Sequence, residues 1–265
     1  MIKESHKKTD SLYLINKFNE IMHDVSMPFN NERLLNASEV ANQIIESTLK
    51  AYENICNIYD YKRSLELKEI DKKTWAILVK YINKYIAIDN ENIKMLDVGT
   101  GNGRDMIYAQ NIGYDIHGVD NCNGFIKILQ RNYEEGLLKK RNYKKCDMRN
   151  LEYLDSTFNV VRQYASLLHL PLISEGFTVD LAIAESYRVL KTNGLICILV
   201  KEGGASLELH DTNEGMGARA FQYFTHFTLN EIVMRNGFTI IYTSDEVELR
   251  NDKIINWIYL IAQKL

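Results

Sequence analysis

From about Ser11 to Ile88 the apolar residues return every three or four positions: Leu12, Ile15, Phe18, Ile21 and Met22, then Val40, Ile44, Ile45 and Leu49, then Trp75, Leu78, Val79 and Ile82. That period belongs to helices with one buried face. Pro28 with Asn30 and Asn31 predicts a break after the first helix, the stretch 36–39 offers a cap for the second, and Asp71 is placed to cap a helix running to Tyr85. From Lys94 onward the pattern changes to short apolar runs, at 95–98, 115–119, 158–164, 195–200, 239–243 and 255–262. All but the last two are far enough apart for a crossover helix, which predicts an α/β parallel sheet. The polar link 244–253 is too short for a helix, so the final strand is expected to turn back antiparallel. Residues 1–88 are read as a helical cap or lid and 89–265 as the core.

Composition narrows the class. The chain has 265 residues, 46% apolar, with 14 Gly and 2 Pro, which excludes a disordered or collagen-like polymer. A formal net charge of −3 gives no global attraction to nucleic acid or an anionic membrane. The first ten residues are polar, and the apolar runs at 195–200 and 254–262 fall far short of the roughly 18 residues needed to cross a bilayer. A cytoplasmic protein is expected. Cys56, Cys122, Cys146 and Cys197 are widely spaced without a Cys-x-x-Cys pair, so buried thiols are expected rather than disulfides or zinc.

The sharpest local signal is an apolar strand running into alternate glycines, Asp97-Val98-Gly99-Thr100-Gly101-Asn102-Gly103, and then a helix. Glycine permits the strained turn and lets a ligand approach the backbone. A second strand ends in Asp120, about 20 residues after the first glycine, where an acid can accept from both hydroxyls of an adenosine ribose. A dinucleotide dehydrogenase would need glycine where Arg104 stands, and Asp97 suits a cationic ammonium better than a pyrophosphate.

From about Tyr52 to Leu265 the sequence resembles the class I S-adenosylmethionine-dependent methyltransferases, of a small-molecule type. The resemblance implies a Rossmann-like seven-stranded sheet with an antiparallel last strand. It implies that Asp97, Gly99, Thr100, Gly101, Asn102 and Gly103 hold the methionine part of the cofactor, and that Asp120 with Asn121 holds the ribose. Asp147, in Cys146-Asp147-Met148-Arg149, looks like the acid that accepts from the adenine amino group, with Met148 against the ring. Phe158 to Pro171 is similar to the segment that closes under the sulfonium, which places Tyr164 at the cofactor, and Tyr187 to Leu195 to the helix-to-strand turn, with Thr192-Asn193 in place of the usual Pro-Gly. Asn159 stands where an Asp is usual. Tyr59, in a Tyr-containing segment from Tyr52, is matched to an aromatic that lies beside the cofactor.

The expected reaction is an in-line displacement, in which orientation alone can supply about 7–11 kcal/mol. His169, near the end of the fourth core strand, is the candidate base because an imidazole titrates close to working pH; the competing reading is a histidine that bonds a loop carbonyl and shapes the pocket. Lys201 and Glu202 follow a strand at the same sheet edge. The glycine-rich stretch 203–227 is read as a mobile substrate loop bearing His210, Arg219 and Tyr223. His210, Asp211 and His226 lack metal-ligand spacing, so no metal is expected. Nucleic acid is the less expected partner, since Lys139-Lys140-Arg141 with Lys144-Lys145 is the one basic stretch on a chain of net charge −3. RNA, peptide or protein methylation and a non-catalytic cofactor-binding subunit remain as alternatives. A small-molecule O- or N-acceptor is expected between cap and loop, with residues 1–50 serving as lid, substrate wall or homodimer surface.

Overall fold

A computed structural model describes residues 2–23, 30–62, 65–86, 88–211, 217–250 and 252–265, with the backbone alone for 2–9 and 211. Pro28 and the tip of the 203–227 stretch lie outside the described residues. The apolar runs become β1 (Lys94–Val98), β2 (Asp115–Asp120), β4 (Phe158–Tyr164), β5 (Leu190–Lys201), β8 (Phe238–Arg250) and β9 (Lys253–Lys264), with β3 (Tyr143–Lys145) added. They form one sheet in the order β3-β2-β1-β4-β5-β9-β8. The first five strands pair parallel, and β9 runs antiparallel to both neighbours, β5 and β8. Helices α4 (Arg104–Asn111), α5 (Asn123–Glu134) and α6 (Thr178–Val189) make crossovers, and α7 (His226–Arg235) precedes β8. This is the expected sheet, with the antiparallel last strand where it was expected.

Several local expectations are corrected. The second helix, α2, spans Asn31–Lys62 without interruption, so 36–39 lie inside it; Asn30 caps it by accepting from Arg33 N at 3.0 Å. Helix α3 (Glu69–Tyr85) starts before Asp71, whose side chain accepts from Lys68 N at 2.9 Å as the third residue of a capping box. The stretch 244–253 is strand for most of its length. Its alternation is inverted: Glu246 and Glu248 point inward and are ion-paired with Lys73 and Lys68, while Val247 and Leu249 are exposed. The 203–227 stretch is not an open loop. It holds an antiparallel hairpin of β6 (Leu207–Asp211) and β7 (Ala218–Gln222). At the head of β5, Asn193 takes the left-handed conformation expected of it, with φ 63°.

Packing joins the parts differently from the sequence order. Helix α3 buries Trp75, Leu78 and Ile82 in the same core as the sheet strands. Helices α1 (Ile2–His23) and α2 share a second core with the hairpin, built on Ile15, Phe18, Val40, Ile44, Leu207 and Ala220. A third cluster seats Cys56 of α2 on Cys122, Phe125 and Ile128 at the head of α5. All four cysteines are buried free thiols.

Candidate functional site

The carboxyl ends of β1, β2 and β4 open into a cavity of about 790 Å³ roofed by α2 and the hairpin. The turn after β1 is bent by positive φ at Gly99, Gly101 and Gly103, and the Gly99 and Thr100 amides both donate to Val119 O, at 2.8 and 3.0 Å. A Cβ at Gly101 would meet nothing within 4 Å, so the backbone there stands open. Asp120 anchors the turn: Oδ2 accepts from Gly101 N and Oδ1 from Cys122 N, each at 2.9 Å. Burial pushes its carboxyl up to about 6, against those two amides. Each oxygen keeps a lone pair for a further donor. A buried hydroxyl on the cavity wall, Ser166 Oγ, has no partner, which fits a site built for a polar ligand.

Helix α2 pins this end. Asp60 Oδ1 accepts from Asn102 Nδ2 at 3.1 Å, and Glu53 accepts from Asn123 N at 2.6 Å and Gly124 N at 2.9 Å, a carboxylate on the positive end of α5. Tyr52, Tyr59 and Phe125 pack as tilted and edge-to-face rings, 5.4 to 6.1 Å apart. On the β3 side Asp147 is gripped by Arg149, with Nη2 2.7 Å from Oδ2; burial would raise its carboxyl, but the guanidinium outweighs this and holds it below the ordinary range.

Beneath the glycine turn lies a buried charge network. Arg162 reaches Asp97 at 3.2 Å and Asp105 at 2.9 Å, Arg104 reaches Asp71 at 3.0 Å, and Trp75 Nε1 donates to Asp105 at 2.7 Å. Burial raises the Asp97 carboxyl above its usual range, whereas at Asp105 the two guanidiniums overcome burial and lower it.

At the other end β5, the β6–β7 hairpin with the residue that follows it, and the short turn Leu167–His169 bring together His169, Lys201, His210, Arg219, Phe221 and Tyr223. His169 Nδ1 lies 2.9 Å from Ala220 O, a carbonyl that can only accept, so Nδ1 carries the proton and Nε2 accepts from Tyr52 Oη at 2.8 Å. Burial, with Arg219 and Lys201 nearby, pushes the imidazole down to about 3. The expectation of a histidine poised near working pH is therefore corrected: His169 is neutral, both ring nitrogens are engaged, and it holds the Tyr52 phenol in place.

Of the residues expected at the cofactor, Tyr59, Gly99, Thr100, Gly101 and Asn102 border the cavity, as do Asp120, Asn121, Asp147, Met148 and Tyr164. Asp97 and Gly103 do not. The Asp97 carboxylate is 2% exposed and turned to Arg162, and Gly103 serves packing, since a Cβ there would lie 2.4 Å from Leu129 Cδ2. Lys201, Glu202, His210, Arg219 and Tyr223, expected at the substrate, all line the same cavity. Sequence reading passed over Tyr52 and Ser166. Tyr52 lies seven positions before Tyr59, two helical turns along one face, and that spacing was the available signal. Asp211's side chain lies outside the described residues. Among them, Glu202, His226 and Asp245 bring possible ligand atoms within 4.8 Å of one another, and His226 Nε2 donates to Asp245 at 2.6 Å.

Comparison with known proteins follows this geometry. Residues 96–198 match a family described as a methyltransferase domain. Over 110 residues the chain is 26% identical to the phosphoethanolamine N-methyltransferase of Plasmodium falciparum. The matched segments take up 39% to 42% of the length of the curated relatives and about two fifths of this chain. A methyltransferase structure from Methanosarcina mazei superposes with a TM-score of 0.59 at 22% identity, covering 70% of this chain and 97% of that one. The 1,6-didemethyltoxoflavin-N1-methyltransferase of Burkholderia thailandensis, solved with its acceptor and S-adenosylhomocysteine, gives 0.59 at 18% identity over 91% of this chain and 93% of that one. These likenesses show the fold. Residues 96–198 thus match a methyltransferase domain, and the order of the strands, with a glycine turn answered by an acid on β2, gives the chain the fold of the Methanosarcina and Burkholderia methyltransferases.

Proposed function

We propose that the chain transfers a methyl group from S-adenosylmethionine to an oxygen or nitrogen of a small-molecule acceptor. The observation that carries this reading is the single cavity of about 790 Å³, with the glycine turn and Asp120 at one end and a polar, aromatic wall at the other. Such a volume suits a cofactor and a small partner. The Plasmodium and Burkholderia relatives, both named as N-methyltransferases of small molecules, support the acceptor class. The free buried thiols fit a reducing, cytoplasmic setting.

When bound, the cofactor supplies an electrophilic methyl group on a sulfonium, whose sulfur keeps the bonding electron pair as a neutral thioether once the acceptor's lone pair attacks in line. Gly101, Asp120, Asp147 and Met148 would hold it, with Asp120 accepting from ribose hydroxyls and Asp147 from the adenine amino group. Tyr52, Tyr59 and Phe125 exclude water and offer ring faces to a cation. Tyr52, oriented by His169, presents its phenol oxygen to the acceptor end and positions the nucleophile.

Calorimetric titration tests the reading directly. Saturable binding of S-adenosylhomocysteine and none of NADH is expected, followed by label transfer from S-adenosylmethionine to a member of an amine and hydroxyl panel. Absence of S-adenosylhomocysteine binding would overturn it.

A further inference from the structure

The acceptor end of the cavity carries positive charge that the fold leaves unmatched. Lys201, the last residue of β5, is 8% exposed, and its ammonium lies 3.8 Å from the Phe221 ring centre and 5.3 Å from that of Tyr223. Arg219, on β7, sets its guanidinium 5.2 Å from the Tyr52 ring centre and 5.5 Å from that of Phe221, with Nη1 3.4 Å from Tyr52 Oη. Its Nε is buried and has no hydrogen-bond partner. Among the described residues no carboxylate comes within 4.0 Å of either cation.

The contrast with the rest of the wall is specific. Lys68 and Arg250 share Glu248, and Arg104 is held by Asp71 and Asp105. The remaining acids nearby have other partners: Glu208 faces His210 at 3.5 Å and Ser206 Oγ at 3.3 Å, and Glu202 sits in the group with His226 and Asp245. A buried ammonium and a half-buried guanidinium beside aromatic rings carry a desolvation cost that ring faces offset only in part. Burial first, then Arg250 and Arg219, press the Lys201 ammonium down to about 8, in keeping with a missing counter-charge. A planar guanidinium beside an ammonium is the pairing that matches the oxygens of a carboxylate or phosphate, and Tyr223 Oη adds a further hydroxyl.

We propose that the acceptor carries an anionic group, a phosphate monoester or a carboxylate, which Lys201 and Arg219 bind at the end of the cavity away from the glycine turn. This rests on the methyltransferase reading above. It goes further, because it excludes neutral acceptors and assigns the cations that select the charged one. Held by its anion, the acceptor's nucleophile is left to lie toward the middle of the cavity, past Tyr52.

The test uses the full chain saturated with S-adenosylhomocysteine and titrated with inorganic phosphate and, separately, with acetate, against chloride at matched ionic strength. Saturable binding of phosphate or acetate is expected, and which one binds decides between the two anions. Lys201→Met and Arg219→Gln are each expected to weaken that binding about tenfold or more, the scale of a charged hydrogen bond. Their S-adenosylhomocysteine affinity, expected to stay within about threefold, reports that both variants are folded, and Arg219→Lys should recover part of the loss. Binding of neither anion by a protein that binds S-adenosylhomocysteine overturns the proposal and leaves the methyltransferase reading standing. Anion binding unchanged in both variants overturns the assignment to these residues. Failure to bind S-adenosylhomocysteine at all removes the underlying reading and this proposal with it.

Discussion

Asp120 answers to two opposing demands. Its oxygens take the Gly101 and Cys122 amides, yet burial holds its carboxyl at about 6. Only the ionised form accepts from two ribose hydroxyls, so S-adenosylhomocysteine affinity is expected to fall as pH drops through 6. In Asp120→Asn that pH dependence should vanish and the affinity should be lower throughout, by about 1–3 kcal/mol for each hydroxyl left unpaired. The stability of the ligand-free protein runs the other way. A carboxyl with its folded value raised from 3.8 binds protons more tightly when folded, so its contribution is full below 3.8 and is lost as pH rises through 6. Calorimetric titrations and melting curves at pH 5 and pH 8 check both signs. At the acceptor end, His169→Ala and Tyr52→Phe are expected to lower kcat together by about 10–100-fold, the cost of a misplaced reactant, with little change in cofactor affinity. Turnover untouched in His169→Ala would make the imidazole a packing group. Asp120 was legible as a residue of the cavity because an acid that ends a strand about 20 residues after a glycine turn has few other uses, whereas Asp147 was legible only through the resemblance. Tyr52 was not, since a tyrosine at helical spacing reads equally well as packing, and only the His169 contact separates the two.

Among elements, the join between α2 and α5 turns on one glycine. A Cβ at Gly124 would stand 2.2 Å from Cys56 Sγ, so Gly124→Ala has to push the helices apart and strain the Glu53 cap. A loss of about 1–3 kcal/mol in denaturant unfolding is expected, as for overpacked cores, and adding Cys56→Ala should restore part of it. The network under the glycine turn is more sensitive still. Arg162→Met strands Asp97 and Asp105 out of water and is expected to cost about 3–5 kcal/mol, read from the same unfolding curves. Strand positions were legible wherever the run was apolar and buried, as in β1, β4 and β5. Two elements escaped for physical reasons. β3 is three residues at the sheet edge, Tyr143, Lys144 and Lys145, with no apolar run to mark it. In β8 the inward positions Glu246 and Glu248 are charged and paired, so the usual alternation is reversed and reads as a polar link.

Over the whole molecule, the helical part does not act as one layer. α3 is built into the sheet core, whereas α1, α2 and the hairpin form their own. The sequence showed that these segments were helical but not which core each would join, because a stripe of apolar residues names a face and not its partner. Since α2 touches the glycine turn through Asp60 and the roof of the cavity through Tyr52, hydrogen exchange in 52–60 is expected to slow when S-adenosylhomocysteine binds, while the β5–β9 pairing stays unchanged. Equal exchange in both states would show that α2 does not sense the ligand.

The unbroken course of α2 has a consequence for traffic through the cavity. Thr48 Oγ1 accepts from Ala220 N of the hairpin at 3.0 Å, Tyr52 holds His169, Glu53 holds α5 and Asp60 holds Asn102, all from one rod of 32 residues, about 48 Å long at 1.5 Å per residue. No hinge separates the grip on the acceptor end from the grip on the cofactor end. Any rigid displacement of that helix would loosen or tighten both grips at once, so the hold on one end of the cavity cannot change without the hold on the other.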